Sequence, residues 1–464
     1  MAWPALLLLG ACADLPPPAS APRAGEIAPP AWIAPLPHGG QTVELARWWQ
    51  QFDDPLLVPL IEAAQVASPS VTSATARIAQ ARAARVAAGA SQSPTLDLGA
   101  SASRGRQLPG QPLANSASVG LQAGWELDLF GASRAGRGAA QARLDGAQAQ
   151  WHDARVAVAA EVANAYVALR ACEALAEKTQ LDADSRQETA RLTGLAARAG
   201  FQAPADATLA GASAAQARAL LVAQRALCDL DVKALVALTG DAEPALRERL
   251  ASATARVPQP AGMAVAEVPA QALAQRPDLF SAERDVLAAT AEVSQQEAQR
   301  LPRFTLAGNI GAARVATGAG SDSGVVWSLG PVAVTLPILD GGTRHANVAA
   351  AQARRDEAVA VYRAKLRGAV REVEEALVNL QSSSARAADT QTAADGFDAG
   401  LRATEARFKS GLASLFELEE TRRNAVQGRA ALIALQRDRS TAWIALYRAL
   451  GGGWSSTDTT AASR

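Results

Sequence analysis

The chain has 464 residues, with 45 Lys and Arg against 45 Asp and Glu, so its formal net charge is zero. Nucleic-acid binding depends on an excess of positive charge, and this balance therefore predicts no nucleic-acid partner. Three cysteines and three histidines are scattered without metal-ligand spacing, and no phosphate-binding or hydrolase motif is present. We predict no enzyme activity, no cofactor and no metal site.

The N-terminal segment has the pattern of a membrane anchor. An apolar run over residues 5–12 ends in Leu-Gly-Ala-Cys, which resembles a bacterial lipobox with Cys12 as the lipid-modified residue. A proline-rich segment follows, as expected of an extended tether. We therefore predict a signal peptide over residues 1–12, a lipid anchor at Cys12 and a tether over residues 13–40. The alternative is a truncated secretory segment with an incidental cysteine.

The most informative feature is an internal duplication. An offset of 211 residues carries Gly200 onto Gly411, Arg218 onto Arg429 and an Ala-Gln-Ala-Arg segment at 140–143 onto 351–354. A unit of about 200 residues is too long for a solenoid repeat, so a large module has been duplicated. We therefore predict a first repeat over 41–240, a linker over 241–275, a second repeat over 276–454 and a disordered tail over 455–464.

Each repeat is predicted to contain two β-strands. Their apolar and polar residues alternate, which is typical of strands with one apolar and one polar face. Pro331 removes a hydrogen-bond donor from the last strand, and the apolar residues change faces there, so we expect a bulge. The four predicted strands are Thr95–Ser103, Ser118–Leu129, Phe304–Ala312 and Gly324–Leu339.

Each strand pair is predicted to lie between a shorter helix and a long helical hairpin. The shorter helices start at Pro69 and Pro277, because proline is favoured in the first helical turn. No proline occurs between Gly131 and Gly200, which favours one continuous helix with a coiled-coil seam. Chain reversal is predicted at Gly200 in the first repeat and at Gly411 in the second.

Two cysteines are positioned for a disulfide. Cys172 and Cys228 lie 30 and 26 residues from a turn at about residue 202, so they face each other at similar heights on antiparallel helices. In an oxidising compartment such a pair favours a bond. The alternative is two buried thiols, since cysteine packs well as a small apolar residue.

Four motifs together resemble those of the TolC-type outer-membrane factors, in particular the NodT-like efflux lipoproteins. These are Trp48-Trp49-Gln50-Gln51-Phe52-Asp53-Asp54-Pro55, Arg276-Pro277-Asp278-Leu279, Leu336-Pro337-Ile338-Leu339-Asp340-Gly341-Gly342 and Ala449-Leu450-Gly451-Gly452-Gly453-Trp454. The resemblance covers nearly all of the mature chain.

The resemblance implies a mainly α, mixed α and β fold. Three copies would form a homotrimer, in which four strands from each protomer make a 12-stranded transmembrane β-barrel and the helices make a periplasmic α-helical barrel. It implies a passive exit duct for small molecules in a tripartite efflux system, with a periplasmic adaptor and an inner-membrane pump as partners. The chain would be anchored in the lipid of the bacterial outer membrane and project into the periplasm.

The resemblance also suggests site residues near the hairpin tips. Phe416, Glu420 and Arg423 resemble the residues of the family's periplasmic gate, and their spacing places them on one helical face. The equivalent residues of the first repeat are Ala205, Leu209 and Ala212. Gly200, Gly411 and Leu412 mark the tips, where adaptor contact is expected. An ordinary solvated ion pair is the alternative for Glu420 and Arg423.

Two other functions stay open at this point. The first is the duct of a type I protein secretion system. The second is a non-conducting coiled-coil lipoprotein of the cell envelope, against which the alternating strands argue.

Overall fold

A computed structural model describes residues 28–34, 45–106, 112–253, 255–261 and 272–454. The predicted signal peptide, Cys12, most of the predicted tether and the tail over 455–464 lie outside the described residues. The α-helices and β-strands follow in chain order. They are α1 (Leu57–Ala67), α2 (Pro69–Ala90), β1 (Thr95–Gly105), β2 (Ala114–Leu127), α3 (Ala132–Arg198), α4 (Pro204–Thr239), α5 (Glu243–Leu250), α6 (Pro277–Ala298), β3 (Arg303–Thr317), β4 (Gly320–Thr335), α7 (Thr343–Lys409) and α8 (Leu415–Ala449).

The predicted order of elements in each repeat is confirmed. The two long helices α3 and α7 have 67 residues each, and α2 and α6 begin at the predicted prolines. Glycines end the helices where the chain reverses: Gly200, Gly240 and Gly411 all have a left-handed backbone, which costs glycine little. Among the described helices, none offers the run of apolar residues that a bilayer span requires.

The segment interpreted as a linker contains a helix. Residues Glu243–Leu250 form α5, which has proline in its first turn and buries Leu246 and Leu250 in the main apolar core. These two leucines are four residues apart and so lie on one helical face. Part of the predicted linker is therefore packed into the main core.

The described chain divides into two compact units. The first contains Ala76–Gln148 and Ser281–Arg363, and its centre is one antiparallel sheet with the strand order β1-β2-β3-β4. The register of β3 against β4 shifts between Leu306 and Gly308, opposite Pro331. The bulge expected at Pro331 is thus confirmed, although β4 lies four residues earlier than predicted.

The two faces of the sheet differ in polarity. Successive side chains of a strand point to opposite faces of the sheet. Residues that are paired across the four strands therefore lie on the same face and form rows of similar polarity. One apolar row consists of Leu98, Leu121, Ile310 and Trp327. The adjacent polar row consists of Asp97, Gln122, Asn309 and Ser328. The large apolar side chains of this sheet are exposed in the single chain, so an apolar face lacks a covering layer within the described residues.

Two glycines allow close approach of the central strands. Gly120 of β2 lies directly opposite Gly311 of β3. A Cβ atom built on Gly311 would lie 2.4 Å from the carbonyl oxygen of Val119, which is far inside van der Waals contact. A larger residue at 311 would therefore require the two strands to separate.

The second unit contains the described residues up to Thr75, those of Ala149–Phe280 and those from Ala364 to Trp454. Its core is built around aromatic residues: Trp48 stacks on Tyr447 with ring centroids 5.1 Å apart. The Tyr166 hydroxyl donates to Asp54 Oδ2 at 2.8 Å, and the Arg170 guanidinium lies over the Tyr166 ring. Burial raises the pKa of Tyr166, so its hydroxyl stays protonated and remains a donor.

Candidate gate and docking site at the hairpin tips

The two hairpins have matching tips. The first hairpin is α3 with α4, and the second is α7 with α8. The Phe201 amide donates to the Ala196 carbonyl at 2.8 Å, and the Leu412 amide donates to the Arg407 carbonyl at 2.8 Å. Each bond closes the last helical turn around a left-handed glycine, the arrangement called a Schellman motif. Phe201 and Leu412 occupy equivalent positions in the two repeats, and they are 85% and 70% exposed. Each tip therefore presents one apolar side chain to its surroundings.

The returning helices start differently. Ser414 caps α8, and its side chain accepts a hydrogen bond from the Glu417 amide at 3.1 Å. The equivalent residue of the first hairpin is Ala203, which has a similar extended backbone and makes no side-chain cap. The serine cap satisfies one of the free amides in the first turn of α8, whereas α4 begins with Pro204 and has no side-chain cap.

The predicted gate residues lie together on the exposed side of α8. Arg423 Nη1 donates to Glu420 Oε2 at 3.0 Å, and the two side chains are 60% and 47% exposed. Phe416 precedes them by one turn and is also exposed. The structure thus places these three residues on one face of α8. Within the chain, Glu420 and Arg423 are paired with each other.

A buried arginine beside them was missed by sequence reasoning. Arg422 is 2% exposed and bonds to α3: its Nη2 donates to Ser185 Oγ and to Thr189 Oγ1, each at 2.8 Å. Its Nη1 donates to Glu419 Oε1 at 2.9 Å, and Glu405 of α7 lies 3.6 Å from Nη2. This guanidinium joins three helices at one point.

A second arginine completes the buried contact. Arg186 of α3 pairs with Glu419 of α8 and with Asp182 of its own helix, the latter at 2.8 Å. Arg186 also donates to Ser213 of α4 at 2.8 Å, and the Ser213 hydroxyl bonds to Glu419 at 2.7 Å. Arg186, Glu419 and Arg422 with their partners, here called the interhairpin network, therefore connect all four helices of the two hairpins.

A cavity adjoins the interhairpin network on the side of the tips. Its volume is about 310 Å³, and its apolar lining includes Leu192, Phe408 and Leu418. Contact between the hairpins near the tips therefore combines buried ion pairs with an apolar cluster that contains Ala210 and Leu418, and it is incompletely filled. Loosely packed regions can rearrange with a smaller loss of packing energy.

A comparison of the two repeats in the sequence indicates where the interhairpin network lies. Shifted back by 211 residues, Glu419 becomes Thr208 and Arg422 becomes Gly211. These charges therefore occur in the second repeat alone, as do Glu420 and Arg423. Neighbouring charges on a helix differ by about 100° in direction, and only the structure shows that Arg422 points inward and Arg423 outward.

The helices of both hairpins cross at equivalent points. In the first hairpin Ala183 and Ala217 belong to one small buried cluster. In the second, a Cβ atom on Gly428 would lie 3.3 Å from the Cα atom of Ala394. The offset of 211 residues carries the first pair onto the second. The two hairpins thus share one helix register.

A polar pair near these crossings repeats in the same register. Arg218 Nη1 donates to Gln187 at 2.9 Å in the first hairpin, and Arg429 pairs with Asp398 at 2.7 Å in the second. The same offset of 211 residues relates the two pairs. Equivalent positions in the two hairpins can therefore be compared directly.

The two cysteines of the first hairpin face each other. Their Cα atoms are 5.5 Å apart and their sulfur atoms 2.12 Å apart. The equivalent residues of the second hairpin are Ser383 and Arg439, which cannot form such a link.

The sequence places the chain in a known family. Residues 60–241 and 268–452, the bulk of the two repeats, match the family described as outer membrane efflux protein. The chain belongs to the outer membrane efflux protein family, and the predicted resemblance is confirmed.

Relatives and solved structures agree with that assignment. The chain is 29% identical to the pyoverdine export outer membrane protein OpmQ of Pseudomonas putida, over 97% of this chain and 96% of the relative. It is 30% identical to nodulation protein T of Rhizobium leguminosarum bv. trifolii, over 91% and 92% of the two chains. The fold matches the crystal structure of the outer membrane protein VceC from Vibrio cholerae with a TM-score of 0.78 and 27% identity, over 88% of this chain and 99% of that chain.

Proposed function

We propose that this protein is the passive outer-membrane exit duct of a tripartite efflux system and works as a homotrimer. The observation that carries the proposal is the four-stranded sheet with one exposed apolar face and one polar face. Its outer strands β1 and β4 each have one edge that is unpaired within the described residues. Three copies joined through these edges give a closed sheet of twelve strands, with the apolar rows toward lipid and the polar rows toward an aqueous passage.

We propose that Phe416, Glu420 and Arg423 form the periplasmic gate. They lie on the exposed face of α8, and three copies bring three of each residue around the narrow end of the passage. The interhairpin network supports this proposal because it ties α8 to α3 directly behind the gate residues. Opening then requires that Arg422 exchange its partners on α3 for water or other groups.

We propose that the adaptor contacts the hairpin tips at Gly200, Gly411 and Leu412, together with Phe201. A trimer presents six such tips, each with one exposed apolar side chain beside a left-handed glycine. An adaptor with apolar sockets of matching spacing fits this surface. Replacing both Phe201 and Leu412 by serine is expected to weaken adaptor capture while the trimer stays intact, whereas serine at the exposed Val222, away from the tips, serves as the control.

We propose that Cys12 carries the lipid anchor that places the protein in the outer membrane, facing the periplasm. Metabolic labelling with a palmitate analogue tests this proposal: labelling is expected for the native chain and not for Cys12→Ser. We also propose that Cys172 and Cys228 are disulfide-bonded in the periplasm. Alkylation followed by mass measurement is expected to show protected cysteines before reduction and two new free thiols afterwards.

The proposed cargo is small molecules handed over by an inner-membrane pump. The support is the names of relatives, which refer to pyoverdine export in OpmQ and to solvent efflux in the Pseudomonas putida protein SrpC. The substrate itself would be selected mainly by the pump, since a wide passive duct binds little.

Reconstitution in planar bilayers tests the duct. The purified full chain is expected to run as a detergent-dependent trimer and to give discrete conductance steps. A carbonate-extractable monomer without conductance would instead support the coiled-coil scaffold. Affinity capture of the pump from cells separates the remaining alternative, because a pump of a type I secretion system would assign the duct to protein export.

A further inference from the structure

We propose that Arg104 and Arg314, here called the rim arginines, bind a phosphate group of a lipid headgroup in the outer leaflet of the membrane. They lie on the apolar face of the sheet, at the end remote from the helices that precede and follow its strands. This inference rests on the proposed insertion of the sheet in the outer membrane. It concerns a surface that includes neither the gate residues nor the hairpin tips.

The alternation of the strands places the rim arginines on the apolar face. Arg314 lies four residues beyond Ile310, and Arg104 lies six residues beyond Leu98; both of these apolar residues belong to the apolar row. Side chains an even number of residues apart in a regular strand share a face. Both arginines are exposed, and together with Asn115 they line one open depression of about 480 Å³.

The two faces of the sheet differ in the sign of their charges. The four strands contain three acidic and three basic residues. By the same alternation, the polar face carries Arg303, near the helices, and all three carboxylates, which are Asp97, Glu126 and Asp322. The apolar face of the described strands therefore has the rim arginines and no carboxylate to neutralise them.

The position of Arg314 along β3 matches the edge of a lipid bilayer. Phe304 is the first residue of β3 on the apolar face, and Arg314 follows ten residues later. At about 3.3 Å per residue and a strand tilt of about 40°, this separation is about 25 Å along the membrane normal. The apolar band of an outer-membrane protein has about this height. With Phe304 at one boundary of the band, Arg314 lies at the other, where hydrocarbon ends and headgroups begin.

The chemistry of the depression fits a phosphate. An arginine that faces lipid is costly at the middle of the bilayer and close to neutral at its interface. Guanidinium groups can form two parallel hydrogen bonds with phosphate oxygens. Asn115 lies on β2 between the strands of the two arginines and adds an amide donor. Basic pockets at a membrane interface bind anionic headgroups, and the phosphorylated glycolipid of the outer leaflet, lipid A, supplies such a group.

Binding of lipid A by the purified full-length trimer tests the proposal. The trimer in detergent micelles is titrated with diphosphoryl lipid A, and bound lipid is counted by native mass spectrometry. The unaltered chain is expected to bind lipid A. The double variant Arg104→Gln with Arg314→Gln is expected to bind about ten to thirty times more weakly, because two interfacial cations are lost. Salt at about 1 M should also weaken binding by the unaltered chain, since it screens the charges.

Two further variants separate recognition from a change in structure. Arg303→Gln removes the same group from the polar face and is expected to bind lipid A as the unaltered chain does. Arg104→Lys with Arg314→Lys keeps both charges and loses the forked donors, so intermediate binding is expected. Lipid A from which the phosphates have been removed tests the ligand. The proposal is wrong if the unaltered chain binds this form equally well, or if the double glutamine variant binds diphosphoryl lipid A as tightly as the unaltered chain.

Failure of this inference and failure of the proposed duct give different results. The double glutamine variant is expected to form trimers and to conduct in planar bilayers as the unaltered chain does, which shows that it folds and inserts. If both chains conduct and bind lipid A equally, the duct stands and the lipid site is wrong. If the unaltered chain neither forms a trimer nor conducts, the duct proposal fails and the lipid site fails with it.

Discussion

The two helical hairpins share a backbone design and differ in what holds their helices together. Both turn at a left-handed glycine, both cross at equivalent small residues, and both carry an equivalent arginine pair. The first hairpin adds facing cysteines, whereas the second adds Glu419, Glu420, Arg422 and Arg423, none of which has a charged equivalent in the first. The duplication therefore preserved the packing and left the charges free to diverge. The following experiments act on that difference, beginning with the largest expected effect on stability.

Replacing the buried Arg422 should lower the free energy of unfolding more than any other change considered. Arg422→Ala leaves Glu419 with less compensation in a desolvated position, and breaking a buried ion pair typically costs about 3–5 kcal/mol. Urea unfolding of the detergent-solubilised trimer measures the change. The matched control is Arg423→Ala, because Arg423 is the next residue and is exposed. Its loss in the free energy of unfolding should be less than about 1 kcal/mol. Equal losses for the two variants would contradict the assignment of Arg422 to the interhairpin network.

Removing the cysteines should destabilise the first hairpin. Cys172→Ser with Cys228→Ser opens a loop of 56 residues in sequence separation, and loss of a native disulfide typically costs about 2–4 kcal/mol. The comparison is the shift in unfolding midpoint between oxidised and reduced native protein, which should match the shift of the double variant. Ser383→Ala in the second hairpin is the control, because it removes a hydroxyl without opening a loop. A double variant as stable as the oxidised native chain would show that the two thiols are not bonded.

Exchanging the N-terminal caps of α4 and α8 should change the protection of their first turns in opposite directions. Ser414→Ala is expected to cost about 1 kcal/mol, because the Glu417 amide loses its acceptor. Ala203→Ser is expected to protect the first turn of α4, since the backbone there is already extended. Hydrogen exchange in the first turns of α4 and α8 reports both changes. Protection that moves in the same direction in both variants would mean that the caps do not explain the difference between these starts.

Removing the exposed charge of Glu420 at the proposed gate should change stability least. Glu420→Ala breaks an exposed pair, for which the expected loss is below about 1 kcal/mol. Its conductance in planar bilayers should rise nonetheless, because a charged group is removed from the narrow end of the passage. Leu209→Ala, at the equivalent position of the first hairpin, should leave conductance unchanged. A similar rise in both variants would place the constriction elsewhere.

Much of this architecture could be predicted from the sequence, because local rules determine it. Glycines marked the turns at 200 and 411, proline marked the start of α2 and α6, and Pro331 marked the bulge. The end of β4 was misplaced by four residues because Leu336, Ile338 and Leu339 continue the apolar pattern after the strand has ended. The α5 helix was missed because its composition resembles a linker, and its two buried leucines are recognisable only through their core contacts.

The sequence indicated only some residues of the candidate site, for a different reason. The exposed pair Glu420 and Arg423 resembled a family pattern, whereas Arg422 directly precedes Arg423 and nothing in the sequence distinguishes the two arginines. Its role follows from hydroxyls more than 230 residues away on α3. Long-range contacts of this kind depend on how two hairpins are packed together, and a single sequence does not encode that relation in its local pattern.

The outer edges of β1 and β4, which are unpaired within the described part of the chain, have a consequence for biogenesis. An unpaired strand edge is a template for any other strand that meets it, and this sheet also exposes an apolar face. A newly exported monomer therefore has two strand edges that can pair with other strands before the oligomer assembles. Escort by chaperones and prompt insertion into the membrane would then matter as much for this protein as its final stability, and overproduction should yield aggregates of unassembled chains rather than a pool of free monomer.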